Sequence, residues 1–192
     1  MKIVLNASSQ HCSDVVPENR IGNSLNRVFG YKLGDKKATS NMLKAASREP
    51  FELIEKQKCD IIVLSVGAYK EVMFPLLSDW KAGKTSIEDE LSIDKFEPGY
   101  DDDGKHVDSL VNLTYNSKKV TVCCYNTTQR IKIEGKGYID FTRKYLSKAL
   151  MNNITSSATR IDDYNKAVIA TLSRKRKVVS RPPRSVCYKT MS

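Results

Sequence analysis

Hydroxyl, aromatic and cationic side chains alternate with apolar ones between residues 120 and 133. The apolar positions predict a face turned toward a core: Val120, Val122, Cys124, Ile131 and Ile133. In paired strands the intervening side chains point the other way, namely Thr121, Cys123, Tyr125, Arg130 and Lys132. Cations contact phosphates and an aromatic ring stacks on a base. The pattern predicts a nucleic-acid-binding face, although solvated sheet faces also carry Thr, Lys and Arg.

The C-terminal residues carry nearly all of the excess positive charge. After Asp163 there is no acidic residue, but there are eight basic ones: Lys166, Arg174, Lys175, Arg176, Lys177, Arg181, Arg184 and Lys189. Of 32 Lys and Arg, 32 − 8 = 24 precede that point together with all 22 acidic residues, a net charge of +2 out of +10. Such a segment favours a phosphate-contacting arm or a nuclear localisation signal over a merely solubilising tail.

Gly135-Lys136-Gly137 separates the last predicted strand from a predicted helix. Glycines before a helix can hold a phosphate at its N-terminus, so Lys136 is a candidate phosphate contact. The spacing of a Walker loop is absent, and a sharp turn alone explains both glycines.

The five cysteines are scattered, form no C-x-x-C pair and have only two histidines to accompany them. Structural zinc sites need closely spaced ligand pairs, so the sequence predicts reduced thiols and no metal or cofactor. The acidic run Asp101–Asp103 lacks the ligand spacing of a calcium loop. No apolar run approaches the roughly 20 residues that cross a bilayer, and we expect no membrane partner.

The N-terminal part predicts alternating strands and helices. Lys2 to Leu5 is a candidate strand, and helices are expected over 21–29, over 39–54 with a division at Pro50, and over 70–80. Residues 59–67 form the most apolar stretch, which is typical of a central parallel strand covered by helices on both faces. The expected arrangement is a partial βαβ unit.

Residues 107–172 predict a different architecture. Strands at 110–115, 119–125 and 130–134 form an antiparallel meander, followed by helices carrying Tyr138 to Leu150 and Ile161 to Leu172. Between the two parts, residues 81–106 contain glycines, Pro98 and the acidic run, and suggest a linker or loop. We therefore predict an α/β protein with a segment at 1–80, a linker at 81–106, a meander-plus-helix module at 107–172 and a disordered basic tail at 173–192.

The N-terminal part resembles the first half of GDSL/SGNH-type hydrolases. The family's Gly-Asp-Ser corresponds to Asn6-Ala7-Ser8, and its later Gly-containing block to Gly67-Ala68-Tyr69-Lys70. The resemblance implies Ser8 as nucleophile and Gly67 in the oxyanion hole. The family's Asn and its late Asp-x-x-His are missing, and a serine without a positioned base is inert at neutral pH. The predicted catalytic set is incomplete, and a diverged esterase is the alternative function.

The stretch from Val120 to Gly137 resembles the strand–turn–strand–Gly–helix unit of TBP-like domains, such as the N-terminal domain of type III ribonuclease H. It also resembles a module of proteins derived from mobile elements, in which a degenerate SGNH-like segment accompanies it. The resemblance implies binding of DNA or RNA without catalysis. Together with the basic tail we expect a nuclear location, with the cytoplasm as the alternative. A module that binds a protein partner through a sheet edge is a further alternative.

Overall fold

The computed structural model describes residues 18–31, 35–84 and 90–179, with side chains from residue 21 to residue 174. Within these ranges the protein has a mixed α/β fold of six strands and five helices, which confirms the predicted class. The strands are β1 (Phe51–Glu55), β2 (Cys59–Leu64), β3 (Leu91–Tyr100), β4 (His106–Tyr115), β5 (Lys118–Tyr125) and β6 (Arg130–Gly135). The helices are α1 (Glu18–Phe29), α2 (Lys36–Ala46), α3 (residues 66–81), α4 (residues 138–156) and α5 (Ala158–Val179). Helices α3 and α4 contain the π-helical stretches Tyr69–Met73 and Phe141–Leu146.

All six strands belong to one sheet with the order β1-β2-β6-β5-β4-β3. Strands β4, β5 and β6 form the predicted antiparallel meander. The turn between β4 and β5 has positive φ at both Asn116 (46°) and Ser117 (60°), as expected for a two-residue hairpin turn of type I′. The predicted module therefore forms, and its last strand also pairs with β2 from the N-terminal part.

The prediction of a parallel βαβ unit is wrong for the described strands. β2 pairs antiparallel with both β1 and β6. Its residues are apolar on both faces because it lies inside the sheet, where Ile62 and Leu64 meet the helices and Ile61 and Val63 point away. Apolar content thus indicated an interior strand correctly, but it does not encode strand direction. The candidate strand at 2–5 lies outside the described residues.

The prediction of one divided helix over 39–54 is also wrong. Helix α2 ends at Ala46, and residues 51–55 form β1 instead. Pro50 disfavours helical geometry at the residue before it, which leaves Phe51, Leu53 and Ile54 free to take the extended conformation that aromatic and branched residues favour. Helix α2 begins earlier than predicted because the Asp35 carboxylate accepts hydrogen bonds from the N–H groups of Lys37 (2.8 Å) and Ala38 (3.1 Å).

The segment predicted as a linker contains a ten-residue edge strand. β3 pairs with β4 along its length and has register shifts at Ile93/Lys95 and Gly99/Tyr100. Pro98 is tolerated there because an edge strand has one side without ladder hydrogen bonds. Helix α5 continues through Val179, and residues 180–192, which make up most of the predicted tail, lie outside the described residues.

The hydrophobic core lies between the sheet and the helices. Buried side chains of all five helices join the helix-facing strand residues in one cluster, which includes Leu25, Met42, Tyr69, Phe141 and Val168. Ile54, Ile61, Val63 and Leu110 point to the other side of the sheet and are not members of that cluster. The five helices therefore cover one side of the sheet.

Candidate nucleic-acid interface

We call the side of the sheet that faces away from the helices the open face. The five apolar residues predicted to face the core are at most 1% exposed. The alternate residues lie on the open face in cross-strand pairs: Thr121 with Glu134, Cys123 with Lys132, and Tyr125 with Arg130. The predicted division of this hairpin into two faces is confirmed, and four of the predicted site residues share one surface.

Most cations on the open face are matched by carboxylates. Lys132 pairs with Glu134 at 2.5 Å, Lys119 with Asp94 at 2.9 Å, and Lys95 with Glu97 at 2.6 Å. The hydrogen bond that Lys132 donates to the Glu134 carboxylate raises the pKa of Lys132, which keeps that ammonium group charged. Because an exposed ion pair presents little net charge to a distant phosphate, Lys132 contributes less to an anionic partner than the sequence alone suggests.

Arg130 differs from these lysines. Its side chain is exposed, and no described carboxylate lies within ion-pair distance of it. Tyr125 is its cross-strand partner, with 39% of its surface exposed. An exposed ring beside an arginine is the combination that stacks on a base and contacts its phosphate. This end of the open face therefore combines an exposed ring with a cation that no described carboxylate pairs, beside Asp108, which lies across from Tyr125 on β4.

Thr121 and the two half-buried thiols form the middle of the open face. The Thr121 hydroxyl donates to Asn112 Oδ1 at 3.0 Å, so it is already engaged within the sheet. Burial raises the pKa of the Cys123 thiol on β5, and Cys59 lies on β2, on the other side of β6. Both cysteines are free. These groups are polar contacts at most and give the face little charge.

The other predicted phosphate contacts lie elsewhere. Lys136 is exposed in the turn after β6, at the far end of that strand from Arg130, roughly 20 Å away at about 3.3 Å per residue. Arg174 is exposed on α5, and residues 175–177 belong to the last turns of that helix. Arg181 and Arg184 lie outside the described residues. The open face and the basic segment are therefore separate features of the protein.

Gly67 has a packing role that the sequence does not reveal. It lies at the start of α3, where its N–H donates to Asn165 Oδ1 at 2.7 Å in a buried contact. A Cβ atom at this position would come within 2.4 Å of the Ile161 carbonyl oxygen. That N–H already has a partner, so this arrangement does not offer it to an oxyanion. Ser8, the nucleophile of the alternative function, lies outside the described residues.

One apolar groove opens between α3 and the edge strand β3. It has a volume of about 150 Å³ and is lined by Phe74, Leu77, Phe96, Pro98, Tyr100 and His106, among others. Burial lowers the pKa of His106, whose Nε2 lies 2.8 Å from the Ser109 hydroxyl. Sites for drug-sized ligands usually exceed about 300 Å³, so the groove is too small for a nucleotide cofactor.

The described residues contain no group of three His, Cys, Asp or Glu side chains arranged to hold a metal ion. None of the described helices combines the length and the apolar character needed to span a bilayer.

Comparisons with known proteins gave no match: no protein-family model, no curated protein and no solved structure is significantly similar to this chain.

Proposed function

We propose that this protein binds nucleic acid without catalysis, and that its basic C-terminal segment supplies most of the contacts to phosphates. The observation that carries the proposal is the charge distribution: eight cations and no acidic residue after Asp163, against a net charge of +2 before it. A cluster of cations neutralises several phosphates and releases their counterions, which gives affinity that does not depend on base sequence. The same segment suits a nuclear localisation signal.

The structure supports a second contribution from one end of the open face. Tyr125 and Arg130 face away from the core beside each other, and Arg130 is not matched by a described carboxylate. Stacking of a base on Tyr125 would require an unpaired base, so this contribution favours single strands. The open face then adds selectivity for single strands to the affinity of the basic segment.

The alternative of a partner strand added to a sheet edge receives less support. β1 is a short edge of five residues. β3 is longer, but Pro98 and two register shifts interrupt it, and Lys95 and Glu97 add charge. Natural sheets use these same features to prevent pairing at their edges.

The proposal is tested by measuring fluorescence anisotropy of labelled single- and double-stranded oligonucleotides over a salt series. Four proteins are compared: the full chain, a chain ending at Val179, a variant with Lys175, Arg176 and Lys177 changed to Gln, and Tyr125→Ala. Glutamine retains high helix propensity, so the triple variant should preserve α5. Lys119→Gln is the control, because it removes an open-face cation that is matched by Asp94.

We expect affinity for both substrates to fall steeply with salt in the full chain. The slope of log K against log salt should decrease by roughly 0.7 per lost contact for single strands and 0.9 for duplex. Tyr125→Ala should weaken single-strand binding alone, and Lys119→Gln should change neither. Absence of binding by the full chain at low salt would overturn the proposed function.

A further inference from the structure

The apolar groove between α3 and β3 is lined by partly exposed rings. Phe74 and Leu77 line it from α3, and Phe96 and Pro98 line it from β3. Leu77 is buried, whereas Phe74 and Phe96 pack against the core and are only partly buried. The groove therefore carries the hydrophobic core out to the surface of the protein, where a bound apolar group would cover both rings.

Tyr100 extends this apolar surface at the end of β3. With 59% of its surface exposed, it is the most exposed of the large apolar side chains that the structure describes. Its ring centroid lies 5.7 Å from that of His106, which also lines the groove. His106 is held in turn by Ser109, whose hydroxyl lies 2.8 Å from Nε2. The Tyr100 ring is thus supported by His106 and offers the rest of its surface to a ligand.

The size and polarity of the groove favour a phenyl ring over a nucleobase. Its volume is about 150 Å³, and a cavity of about that size binds benzene. Ser78 Oγ already donates to the Phe74 carbonyl at 3.0 Å, and His106 is engaged with Ser109. The polar edges of a base would find few partners in such a lining, and burying them unpaired is costly. A phenylalanine side chain has no polar edge.

Lys81 gives the groove a positive rim. Its side chain is exposed, and no described carboxylate lies within ion-pair distance of it. Burial lowers the pKa of His106, the charge of Lys81 lowers it too, and Asp108 on the open face raises it. Lys81 is therefore close enough for its charge to act on a residue that lines the groove. A ligand with a carboxylate beside its ring would complement this charge.

The acidic run 101–103 follows β3 but does not line the groove. Within it, Asp101 Oδ1 accepts hydrogen bonds from the N–H groups of Asp103 (3.1 Å) and Lys105 (2.9 Å). Asp103 Oδ2 also lies 3.9 Å from Lys105 Nζ. These carboxylates are engaged within their own turn, and Lys81 is the one ammonium group among the described residues that line the groove.

We propose that this groove binds a partner protein through one phenylalanine side chain flanked by acidic residues. The phenyl ring fills the groove between α3 and β3 and covers Tyr100, and an adjacent carboxylate pairs with Lys81. Aromatic anchors in pockets supply most of the energy of many interfaces, and charged neighbours add specificity. The inference does not rest on the proposed function, since neither Tyr125 nor the basic C-terminal segment takes part in it.

The site is tested on the full chain with two peptides that differ in one residue. They are acetyl-Asp-Asp-Phe-Asp-Asp-amide and the same peptide with Ala in place of Phe. Binding is followed in two-dimensional ¹H–¹⁵N spectra. We expect the Phe peptide to cause saturable shifts at the backbone amides of Ser78, Lys81 and Tyr100. The Ala peptide should bind at least about tenfold more weakly there, because burial of the ring supplies most of the affinity. Both peptides carry the same charge, so attraction to the basic segment cancels between them.

Variants at two exposed positions separate the ring contact from the charge contact. Tyr100→Ala should weaken binding of the Phe peptide by roughly fivefold at any salt concentration. Lys81→Gln should weaken it by about two- to fivefold at low salt and have no effect at 1 M salt. Tyr125→Ala and Lys84→Gln are the matched controls, since they remove the same side chains outside the groove, and both should leave the affinity unchanged. Lys84 faces Asp79 at 3.8 Å.

The outcomes distinguish this site from the proposed function and from other ligands. Equal affinity of the two peptides, or equal effects of the variants and their controls, would overturn the site. Tighter binding of a single-stranded oligonucleotide at the same amides would overturn the protein partner in favour of a nucleobase, and equally tight binding of 3-phenylpropionate would do so in favour of a small carboxylate. Phe-dependent shifts in a chain that binds no oligonucleotide would support the site and overturn the proposed function.

Discussion

The side chain of Asn165 on α5 connects to the start of α3 across 98 residues of sequence. Its Oδ1 accepts the N–H of Gly67 at 2.7 Å, and its Nδ2 lies 3.2 Å from Ser65 Oγ. Ser65 Oγ in turn accepts the N–H of Ala68. Asn165 therefore supplies a hydrogen-bond acceptor to a buried N–H group at the start of α3, where N–H groups lack partners within the helix.

Gly67→Ala should destabilise the protein, because the added methyl group would lie 2.4 Å from the Ile161 carbonyl oxygen and 3.0 Å from Asn165 Oδ1. We expect a loss of about 1–3 kcal/mol in the free energy of unfolding, measured by urea denaturation. Gly22→Ala is the matched control, since nothing lies within 4 Å of a Cβ atom there. Within helix α1 it should stabilise by about 0.5–1 kcal/mol. Equal effects of the two substitutions would contradict the close packing of α3 on α5.

Asp60→Asn should stabilise the protein at neutral pH. Asp60 is 2% exposed on the helix side of β2, and its Oδ2 has no hydrogen-bond partner among the described residues. Burial raises the pKa of Asp60, and Glu55 raises it further, against opposing effects of Thr142 and Arg143. At neutral pH the folded protein therefore holds a carboxylate that is better accommodated when protonated.

The pH dependence of the free energy of unfolding tests the direction of the Asp60 pKa shift. Because the pKa of Asp60 is higher in the folded than in the unfolded chain, the folded state binds more protons between the two values. The contribution of Asp60 to the free energy of unfolding therefore rises as the pH falls from its pKa in the folded state toward its pKa in the unfolded state. The difference in unfolding free energy between Asp60→Asn and the parent should shrink over that range in urea melts from pH 7 to pH 4. A difference that grows on acidification would contradict the raised pKa.

Phe141→Ala should cost about 3–5 kcal/mol, the usual range for a fully buried phenylalanine. Phe141 is 0% exposed, and its ring contacts Tyr115 (5.6 Å between centroids), Tyr145 (5.4 Å) and Trp80 (6.4 Å). Trp80 is the single tryptophan, so its fluorescence reports unfolding directly. Ile139→Ala, two residues away at a position 46% exposed, should change stability by less than about 0.5 kcal/mol.

Cys124 should resist alkylation until the protein unfolds. Its thiol is fully buried and burial raises its pKa strongly, so the reactive thiolate is scarce in the folded state. Mass spectrometry of a Cys123→Ser variant, alkylated with and without urea, isolates Cys124 in its own peptide. We expect modification at Cys124 to be at least about tenfold slower without urea, because burial excludes the reagent and suppresses the thiolate. Similar rates under both conditions would place Cys124 outside the core.

The sequence predicted the meander and its two faces because both depend on local alternation. Val122 and Ile133 are buried and Tyr125 is exposed, as the period of two requires. Strand direction in the N-terminal part was not predictable, since β2 has the same apolar residues whichever way its neighbours run. The edge strand β3 was missed because Pro98 and Gly99 normally indicate a loop, and they are tolerated here only at an edge.

The candidate site was predictable in part for the same reason. Tyr125 and Arg130 follow from alternation within one hairpin. The weak charge contribution of Lys132 was hidden. Glu134 lies two positions along the same strand, on the same face. The sequence does not show that the two side chains form an ion pair, which the structure does.

The place of β2 between β1 and β6 has a consequence for the order of folding. The hairpin of β1 and β2 is made early in synthesis, but the inner side of β2 pairs with residues 130–134, about seventy positions later. Contacts between β3, β4, β5 and β6 join strands that follow one another, so they close short loops and cost less chain entropy. The strands of the meander should therefore pair with one another before β6 docks on β2, and the earlier β1–β2 hairpin exposes an aggregation-prone edge until then.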